Sequence, residues 1–343
     1  MRTAWALTTL SLVLALTLVG GGGIEGTVGQ QTVEADTRQE RIDSCTTISD
    51  PGQYVLTTDV TNSRVDTCVR VRANDVVLDG RGNSVDGVGA FGSAGVLVTG
   101  RTNVTVRNVV ATDWDDGVRF TGTRNATIER TTTARNRVGL SLVSLRSGTV
   151  ENNTARSNAV AGVFLVGTSE DNTLRNTTAT DNALVGVQLV EARENRIVGT
   201  VARGNEFGIA LLGANRNTVT GSVATGNDIA GIWLSAASDT VVRNNRVTNR
   251  FYGIYLADGA RNNIVESNTA RGNPVGVRLR SSDRNRILSN RVSNSSDTGI
   301  LLISSDKNRV VDNVGTGNRR GIIVSPSSRD TTLSNNSVEE RGR

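Results

Sequence analysis

The chain has 343 residues, of which 36% are hydrophobic and only 3% aromatic, with 37 Gly, 3 Pro, 2 Cys, one Met and no His. The lack of His, and of any Met after Met1, excludes imidazole acid–base catalysis and ordinary His/Met metal centres. The chain has 38 basic and 33 acidic residues, which give a formal charge of +5. Residues 1–270 contain 25 basic and 26 acidic residues, whereas residues 271–343 contain 13 basic and 7 acidic residues. The excess of positive charge therefore lies at the C-terminal end.

The first segment combines one basic residue, an apolar run over residues 4–19 and a stretch of glycines. This pattern predicts a secretory signal peptide over residues 1–23, with an uncleaved membrane anchor as the alternative. We therefore expect a secreted, periplasmic or cell-surface protein, with no membrane span after cleavage and no nucleic-acid partner. Residues 24–68 are interpreted as an N-terminal segment and cap.

From residue 95 onward, the chain repeats a tetrapeptide in which Gly is followed by an apolar, a variable and an apolar residue. Each repeat also contains two further short runs of alternating apolar and polar residues, which indicate strands rather than helices. The repeat spacing is 22 to 24 residues. The anchor glycines are Gly95, Gly117, Gly139, Gly162, Gly186, Gly208, Gly231, Gly253, Gly276, Gly299 and Gly321.

Three short strands per repeat cannot bury a hydrophobic face alone, but they can do so when successive repeats stack and equivalent strands pair in parallel. We predict an all-β, single-stranded, right-handed parallel β-helix of 12–13 coils over residues 69–338, followed by a polar tail at 339–343. An Asn precedes most anchors, and we interpret these Asn residues as structural ladders. They are Asn136, Asn158, Asn182, Asn205, Asn227, Asn249, Asn273 and Asn318.

The two cysteines, Cys45 and Cys68, are separated by one coil length. In an exported protein this spacing predicts a disulfide between the cap and the first coil. A redox or metal-binding pair is the alternative, although no other soft ligand accompanies the two residues.

The sequence SCTTISDPGQYVLTTDVTNSRVDTCVRVRANDVVLDGRGNSVDG at residues 44–87, with the GIYL-type repeats and the NNTA and RGN segments, resembles the NosD-like family. That family belongs to the carbohydrate-binding and sugar-hydrolase (CASH) group of right-handed β-helix proteins. The resemblance implies export and periplasmic copper-protein maturation, with an ABC transporter and nitrous oxide reductase as partners. Without His or internal Met, copper would fall to Cys45, Cys68 or carboxylates, and carboxylates are poor ligands for Cu(I).

The acidic segment TDWDDG contains Asp113, Asp115 and Asp116. If the segment is extended, Asp113 and Asp115 share a face at roughly 7 Å, a separation that suits an inverting glycosidase. Asp116, Trp114 and outward Arg119 could then hold a sugar or uronate nearby. Two alternatives remain open, which are a solvated loop of turn-forming Asp residues and a calcium site on the same carboxylates.

The variable residue of each anchor tetrapeptide is expected to point outward, since its two neighbours point inward. Trp233, Tyr255 and Arg278 then become neighbours in consecutive coils, with Phe164 three coils before Trp233. Flat aromatic faces beside arginine suit pyranose rings and acidic sugars. The alternative is that Trp233 and Tyr255 pack under a long turn or in an oligomer contact.

Three functions follow from these observations. The first is binding of polysaccharide or cell-surface glycan along the outward residues, with no expected cofactor. The second is an accessory role in copper-enzyme maturation through protein contacts, and the third is a structural surface repeat. We expect no catalysis, but if the chain is an enzyme its residues indicate a polysaccharide hydrolase or lyase.

Overall fold

The computed structural model describes residues 39–341, and these residues form strands joined by turns, with no helix. Accordingly, no helix within this range is long and apolar enough to cross a membrane. The predicted signal peptide at residues 1–23 lies outside the described residues.

The strands assemble into three parallel sheets of 14, 13 and 12 strands, which we call sheets 1, 2 and 3. A regular coil contributes one strand to each sheet, in the chain order sheet 2, sheet 1, sheet 3. Strands one coil apart pair in register, so equivalent residues of successive coils lie next to each other. The predicted parallel β-helix of about 13 coils is confirmed.

Sheet 1 consists of Gln39–Ile42, Gly52–Leu56, Val76–Asp79, Thr105–Arg107, Thr127–Glu129, Thr149–Glu151, Thr173–Arg175, Arg196–Val198, Thr218–Thr220, Val241–Arg243, Ile264–Glu266, Arg286–Leu288, Arg309–Val311 and Thr332–Ser334. Sheet 2 consists of Thr46–Ile48, Thr67–Val71, Ala94–Thr99, Asp116–Thr121, Val138–Val143, Ala161–Val166, Val185–Val190, Phe207–Leu212, Ala230–Ser235, Tyr252–Ala257, Val275–Arg280, Thr298–Ile303 and Arg320–Val324. Sheet 3 consists of Ser84–Asp86, Val110–Thr112, Thr132–Ala134, Thr154–Arg156, Thr178–Thr180, Val201–Arg203, Val223–Thr225, Arg246–Thr248, Thr269–Arg271, Arg291–Ser293, Val314–Asn318 and Ser337–Glu340.

The sheets extend beyond the range 69–338 that the repeat spacing predicts. Sheet 1 begins with Gln39–Ile42, which pairs with Gly52–Leu56, and sheet 3 ends with Ser337–Glu340. The coils that contain Thr46–Ile48 and Thr67–Val71 have no anchor glycine, yet their backbones pair in the same way. The segment interpreted as a cap therefore supplies strands of its own to the β-helix from residue 39.

The interior is a column of aliphatic side chains from all three sheets. In a typical coil, Ile232 and Leu234 of sheet 2 are fully buried, whereas Trp233 between them is half-buried and faces outward. Val242 of sheet 1 and Val247 of sheet 3 complete the same layer. Stacking such layers removes the apolar side chains from water, which is the main favourable term for this fold.

The predicted Asn ladder forms at the turn before sheet 2. The Asn205 side-chain oxygen accepts hydrogen bonds from the backbone and side-chain nitrogens of Asn182, each at 3.0 Å, and its amide nitrogen donates to the Ala179 carbonyl at 3.1 Å. The same backbone-to-side-chain bond links Asn136 through to Asn273 in consecutive coils. These buried amides satisfy the polar groups of the turns, which would otherwise be costly to bury.

The anchor glycines make room for this ladder. A Cβ atom on Gly208 would lie 2.5 Å from the Gly231 carbonyl oxygen and 2.9 Å from the Asn227 amide nitrogen. Side-chain atoms do not approach backbone this closely, so glycine recurs wherever sheet 2 begins beside the ladder.

The structure joins Cys45 and Cys68 in a disulfide, with 4.3 Å between their Cα atoms. Cys68 lies in Thr67–Val71 and Cys45 precedes Thr46–Ile48, and these two strands pair in sheet 2. The bond therefore links neighbouring coils at the N-terminal end of the β-helix.

Candidate functional site

The outward face of sheet 2 carries the residues that the repeat pattern selects. Its register places the variable residues in one row, from Leu97 to Ile323, each beside its equivalent in the next coil. Trp233 pairs with Tyr255, and Tyr255 pairs with Arg278, as the sequence predicts. The full row is Leu97, Arg119, Ser141, Phe164, Gln188, Ala210, Trp233, Tyr255, Arg278, Leu301 and Ile323.

Four aromatic rings and one guanidinium gather at one part of this row. We call Phe207, Trp233, Tyr252, Tyr255 and Arg278 the aromatic–arginine cluster. The rings of Phe207 and Trp233 stack with centroids 4.5 Å apart and planes 22° apart, and those of Tyr252 and Tyr255 lie 4.8 Å apart with a 41° tilt. All five side chains are half-buried.

Arg278 lies against the tyrosine rings of the cluster. Its guanidinium carbon is 4.9 Å from the ring centroid of Tyr252 and 5.3 Å from that of Tyr255, which are cation–π distances. Its Nη1 also donates a hydrogen bond to the Tyr252 hydroxyl. Within residues 39–341, no carboxylate forms a salt bridge with Arg278, so its charge is not neutralised there.

Two N–H donors of the cluster are covered and have no acceptor among the described residues, namely Trp233 Nε1 and Arg278 Nε. An unsatisfied buried donor costs about 1–3 kcal/mol.

Sequence reasoning missed Phe207 and Tyr252. Each stands immediately before an anchor glycine and three residues before a member of the outward row. The rings of Tyr252 and Tyr255 nevertheless contact each other, so the strand departs from strict alternation at the anchor glycine. An aromatic residue directly before the anchor, as in FGIAL and YGIYL, was the available signal.

The structure does not bring Phe164 or Arg119 to the cluster. Phe164 is half-buried three coils before Trp233, or about 14 Å along the axis, and Gln188 and Ala210 lie between them. Arg119 lies a further two coils away, where it contacts acidic residues.

The acidic segment is bent rather than extended, so the condition for a 7 Å carboxylate pair is not met. Asp113 has a left-handed φ of 60°, and Asp116 begins the next sheet 2 strand. Trp114, expected beside a sugar, is 1% exposed, and its indole nitrogen donates to the Val85 carbonyl at 3.0 Å. The indole is buried in the core because a ring of this size is costly to leave in water.

Each carboxylate of the segment is held by an arginine. Asp113 pairs with Arg135 at 2.7 Å on the exposed side of the turn. Asp115 is 5% exposed and accepts from Arg137 Nε at 2.5 Å and from the Gly92 backbone nitrogen at 3.1 Å.

Asp116 is the more deeply buried carboxylate and pairs with Arg119. Burial raises the pKa of the Asp116 carboxyl above its ordinary value, although the neighbouring arginines and a hydrogen bond from Ser141 act in the opposite direction. The Asp115 and Asp116 carboxylates and their two arginines thus form a compact charged group on the same face of sheet 2 as the aromatic–arginine cluster.

Comparison with known protein families shows the family to which the chain belongs. The family described as "Periplasmic copper-binding protein (NosD)" matches residues 41–220, 186–314 and 224–343. The chain belongs to this family. No curated protein matches it.

The donor atoms of this NosD family protein do not fit copper. The sequence has no His, its only Met is Met1, and both cysteines are joined in the disulfide. Among residues 39–341, no three carboxylates or cysteines come together in an arrangement that could hold a metal ion. Soft thiolate, thioether and imidazole donors are what copper prefers, and the described residues offer none of them.

Several solved structures share the fold of this NosD family protein. The A-module of the Azotobacter vinelandii mannuronan C-5 epimerase AlgE6 is 18% identical, with 87% of this chain and 88% of that chain covered and a TM-score of 0.52. The periplasmic alginate epimerase AlgG is 14% identical, with 78% and 76% covered and a TM-score of 0.59. The catalytic domain of a GH87 α-1,3-glucanase, solved with tetrasaccharides, is 12% identical, with 88% and 63% covered and a TM-score of 0.54.

Proposed function

We propose that this NosD family protein binds an acidic polysaccharide or cell-surface glycan along the outward face of sheet 2, outside the cytoplasm. The observation that carries the proposal is the aromatic–arginine cluster of four half-buried rings, two of which lie against a guanidinium that has no carboxylate partner among the described residues. The family description as periplasmic and the Cys45–Cys68 disulfide support the location, because disulfides persist in oxidising compartments.

The spacing of the cluster suits an extended sugar chain. Consecutive coils are about 4.8 Å apart, which is close to the length of one pyranose unit. Trp233, Tyr255 and Arg278 lie on three consecutive coils, so they can contact successive units. Aromatic faces cover the apolar faces of pyranose rings, and each such contact contributes about 1 kcal/mol.

The charge of the cluster favours an acidic sugar. A carboxylate placed near Arg278 would form a charge-assisted hydrogen bond, stronger than one between neutral groups. Two of the structures that share the fold, AlgE6 and AlgG, are a mannuronan epimerase and an alginate epimerase, and a uronate polymer as ligand agrees with them.

The test is binding of Trp233→Ala to alginate, measured by calorimetry, with neutral dextran as the control polymer. We expect affinity for alginate to fall about tenfold, which corresponds to about 1.4 kcal/mol. The unfolding temperature should change little, because Trp233 faces outward and contributes little to the core.

Phe164→Ala is the matched control, since Phe164 occupies the same outward row but lies outside the cluster. It should bind alginate as the wild type does. Equal losses for both variants would indicate a diffuse apolar surface, and a wild type that binds neither alginate nor polygalacturonate would contradict the proposal.

An accessory role in copper-enzyme maturation is the second candidate, and the family match favours it. Because the chain has no His, no Met after Met1 and no free cysteine, such a role would proceed through protein contacts with the copper enzyme or an ABC transporter. Co-purification of either partner with wild type and with Trp233→Ala would show whether the same face of sheet 2 is used.

A further inference from the structure

The outward face of sheet 3 is basic, and its arginines are not balanced by acids. From Thr132–Ala134 to Arg291–Ser293, every charged residue in the sheet 3 strands is an arginine. Sheet 1 differs, because there Arg107 pairs with Asp79 at 3.0 Å and Arg175 pairs with Glu151 in the preceding coil. The sheet 3 arginines are Arg156, Arg203, Arg246, Arg271 and Arg291.

Three of these arginines surround one groove of about 300 Å³. Arg246, Thr269 and Arg291 are the first residues of three consecutive strands of sheet 3. Arg246 pairs with Thr269 and Thr269 pairs with Arg291, so the threonine lies between two arginines. Arg271 lies two residues beyond Thr269 on the same strand, beside Ser293. The lining is completed by Asn294 and Thr316.

Nothing among the described residues neutralises these three charges. The side chains of Arg246, Arg271 and Arg291 form no salt bridge within residues 39–341, and all three are exposed. Like charges on adjacent coils repel each other. An anion in the groove would convert this repulsion into attraction.

We infer that the groove binds a tetrahedral oxyanion, a phosphate or sulfate group. Three guanidinium groups can each direct N–H donors at such an anion, and the hydroxyls of Thr269 and Ser293 can add neutral donors. A phosphate or sulfate offers more acceptor oxygens than a carboxylate, so it matches a site built from this many donors. The site is on a different sheet from the aromatic–arginine cluster and goes beyond the proposed glycan binding.

The test compares two double variants of the full chain that lose the same charge from the same face. Arg246→Gln/Arg271→Gln removes two of the three groove arginines, and Arg156→Gln/Arg203→Gln removes two arginines that do not line the groove. Calorimetry with inorganic phosphate and with sulfate, at constant ionic strength, gives the affinity. We expect the groove variant to lose at least tenfold and the control variant less than twofold.

Sulfated dextran and plain dextran distinguish a free ion from an ester group on a larger molecule. Stronger binding of sulfated dextran than of sulfate would identify the ligand as an ester group on a larger molecule, and equal binding would identify it as the free ion. In both cases the groove variant must lose affinity. Circular dichroism and unfolding temperature confirm that both variants fold, as expected for exposed side chains. The inference is overturned if wild type binds neither the free anions nor sulfated dextran, or if both variants lose affinity equally.

Discussion

At the scale of single residues, Asp116 shows how burial and ion pairing compete. Its pKa is raised by burial, despite the contact with Arg119. A raised pKa in the folded state means that folding favours the protonated form. Its contribution to stability is therefore greatest below the ordinary pKa of an aspartate and is lost as the pH rises through the folded-state pKa.

We therefore predict that Asp116→Asn increases the free energy of unfolding at pH 7, with a smaller gain near pH 4, measured by urea denaturation at both values. Asp113→Asn is the control, because Asp113 is half-exposed and its pairing with Arg135 is solvent-screened. Its effect should be below about 1 kcal/mol. A lower unfolding free energy for Asp116→Asn at pH 7 would show that the Arg119 ion pair outweighs the cost of burying the charge.

Trp114 shows why this part of the site could not be predicted from sequence. Period-2 alternation treats TDWDDG as a strand, and that interpretation places Asp113 and Asp115 on one face. The indole is instead buried over Gly87 and Gly95, whose missing side chains leave space for it. Those glycines belong to other turns of the β-helix, so the bend depends on tertiary contacts that no local pattern contains.

At the scale of strands and turns, the Asn ladder bonds buried polar groups of consecutive coils. Asn205→Ala would leave the Asn182 backbone nitrogen buried without its acceptor and would remove the side-chain donor to the Ala179 carbonyl. We predict a loss of about 3 kcal/mol in unfolding free energy, measured by chemical denaturation. Thr248→Ala, at an exposed strand end, should change it by less than about 0.5 kcal/mol. Equal effects for the two variants would show that the ladder contributes no special stability.

The outward row of sheet 2 could be predicted because spacing alone fixes it. Coils of nearly constant length force equivalent residues into register, so Trp233, Tyr255 and Arg278 had to be neighbours. Phe207 and Tyr252 escaped prediction because the backbone departs from strict alternation at the anchor glycine. The pairing of their rings with Trp233 and Tyr255 depends on that departure, which the tetrapeptide pattern does not express.

At the scale of the whole described β-helix, the three outer faces have different chemistry. Sheet 1 carries salt bridges between successive coils, such as Arg175 with Glu151. Sheet 2 presents aromatic and aliphatic residues, and sheet 3 presents threonines and arginines. One repeat can support such different surfaces because only the inward residues, the turn amides and the anchor glycines are fixed by stacking.

Stability should also be distributed along the axis rather than shared by all coils. Each coil contacts mainly its neighbours, so the Cys45–Cys68 disulfide should act on the coils that it joins. Restricting a loop of this length contributes about 3 kcal/mol in the chain-entropy model. The strand Ala230–Ser235 lies seven coils, or about 34 Å, from Thr67–Val71 and has no direct contact with the bond.

We predict that Cys45→Ala/Cys68→Ala reduces hydrogen-exchange protection in Thr46–Ile48 and Thr67–Val71, with little change in Ala230–Ser235. The reason is that an end coil can separate from the column while the other coils remain paired. Hydrogen exchange measured by mass spectrometry on wild type and variant gives the protection of the N-terminal strands and of Ala230–Ser235 in one experiment. An equal loss of protection at the two positions would mean that the β-helix unfolds as one cooperative unit, and the disulfide would then stabilise every coil that carries the sheet 2 and sheet 3 sites.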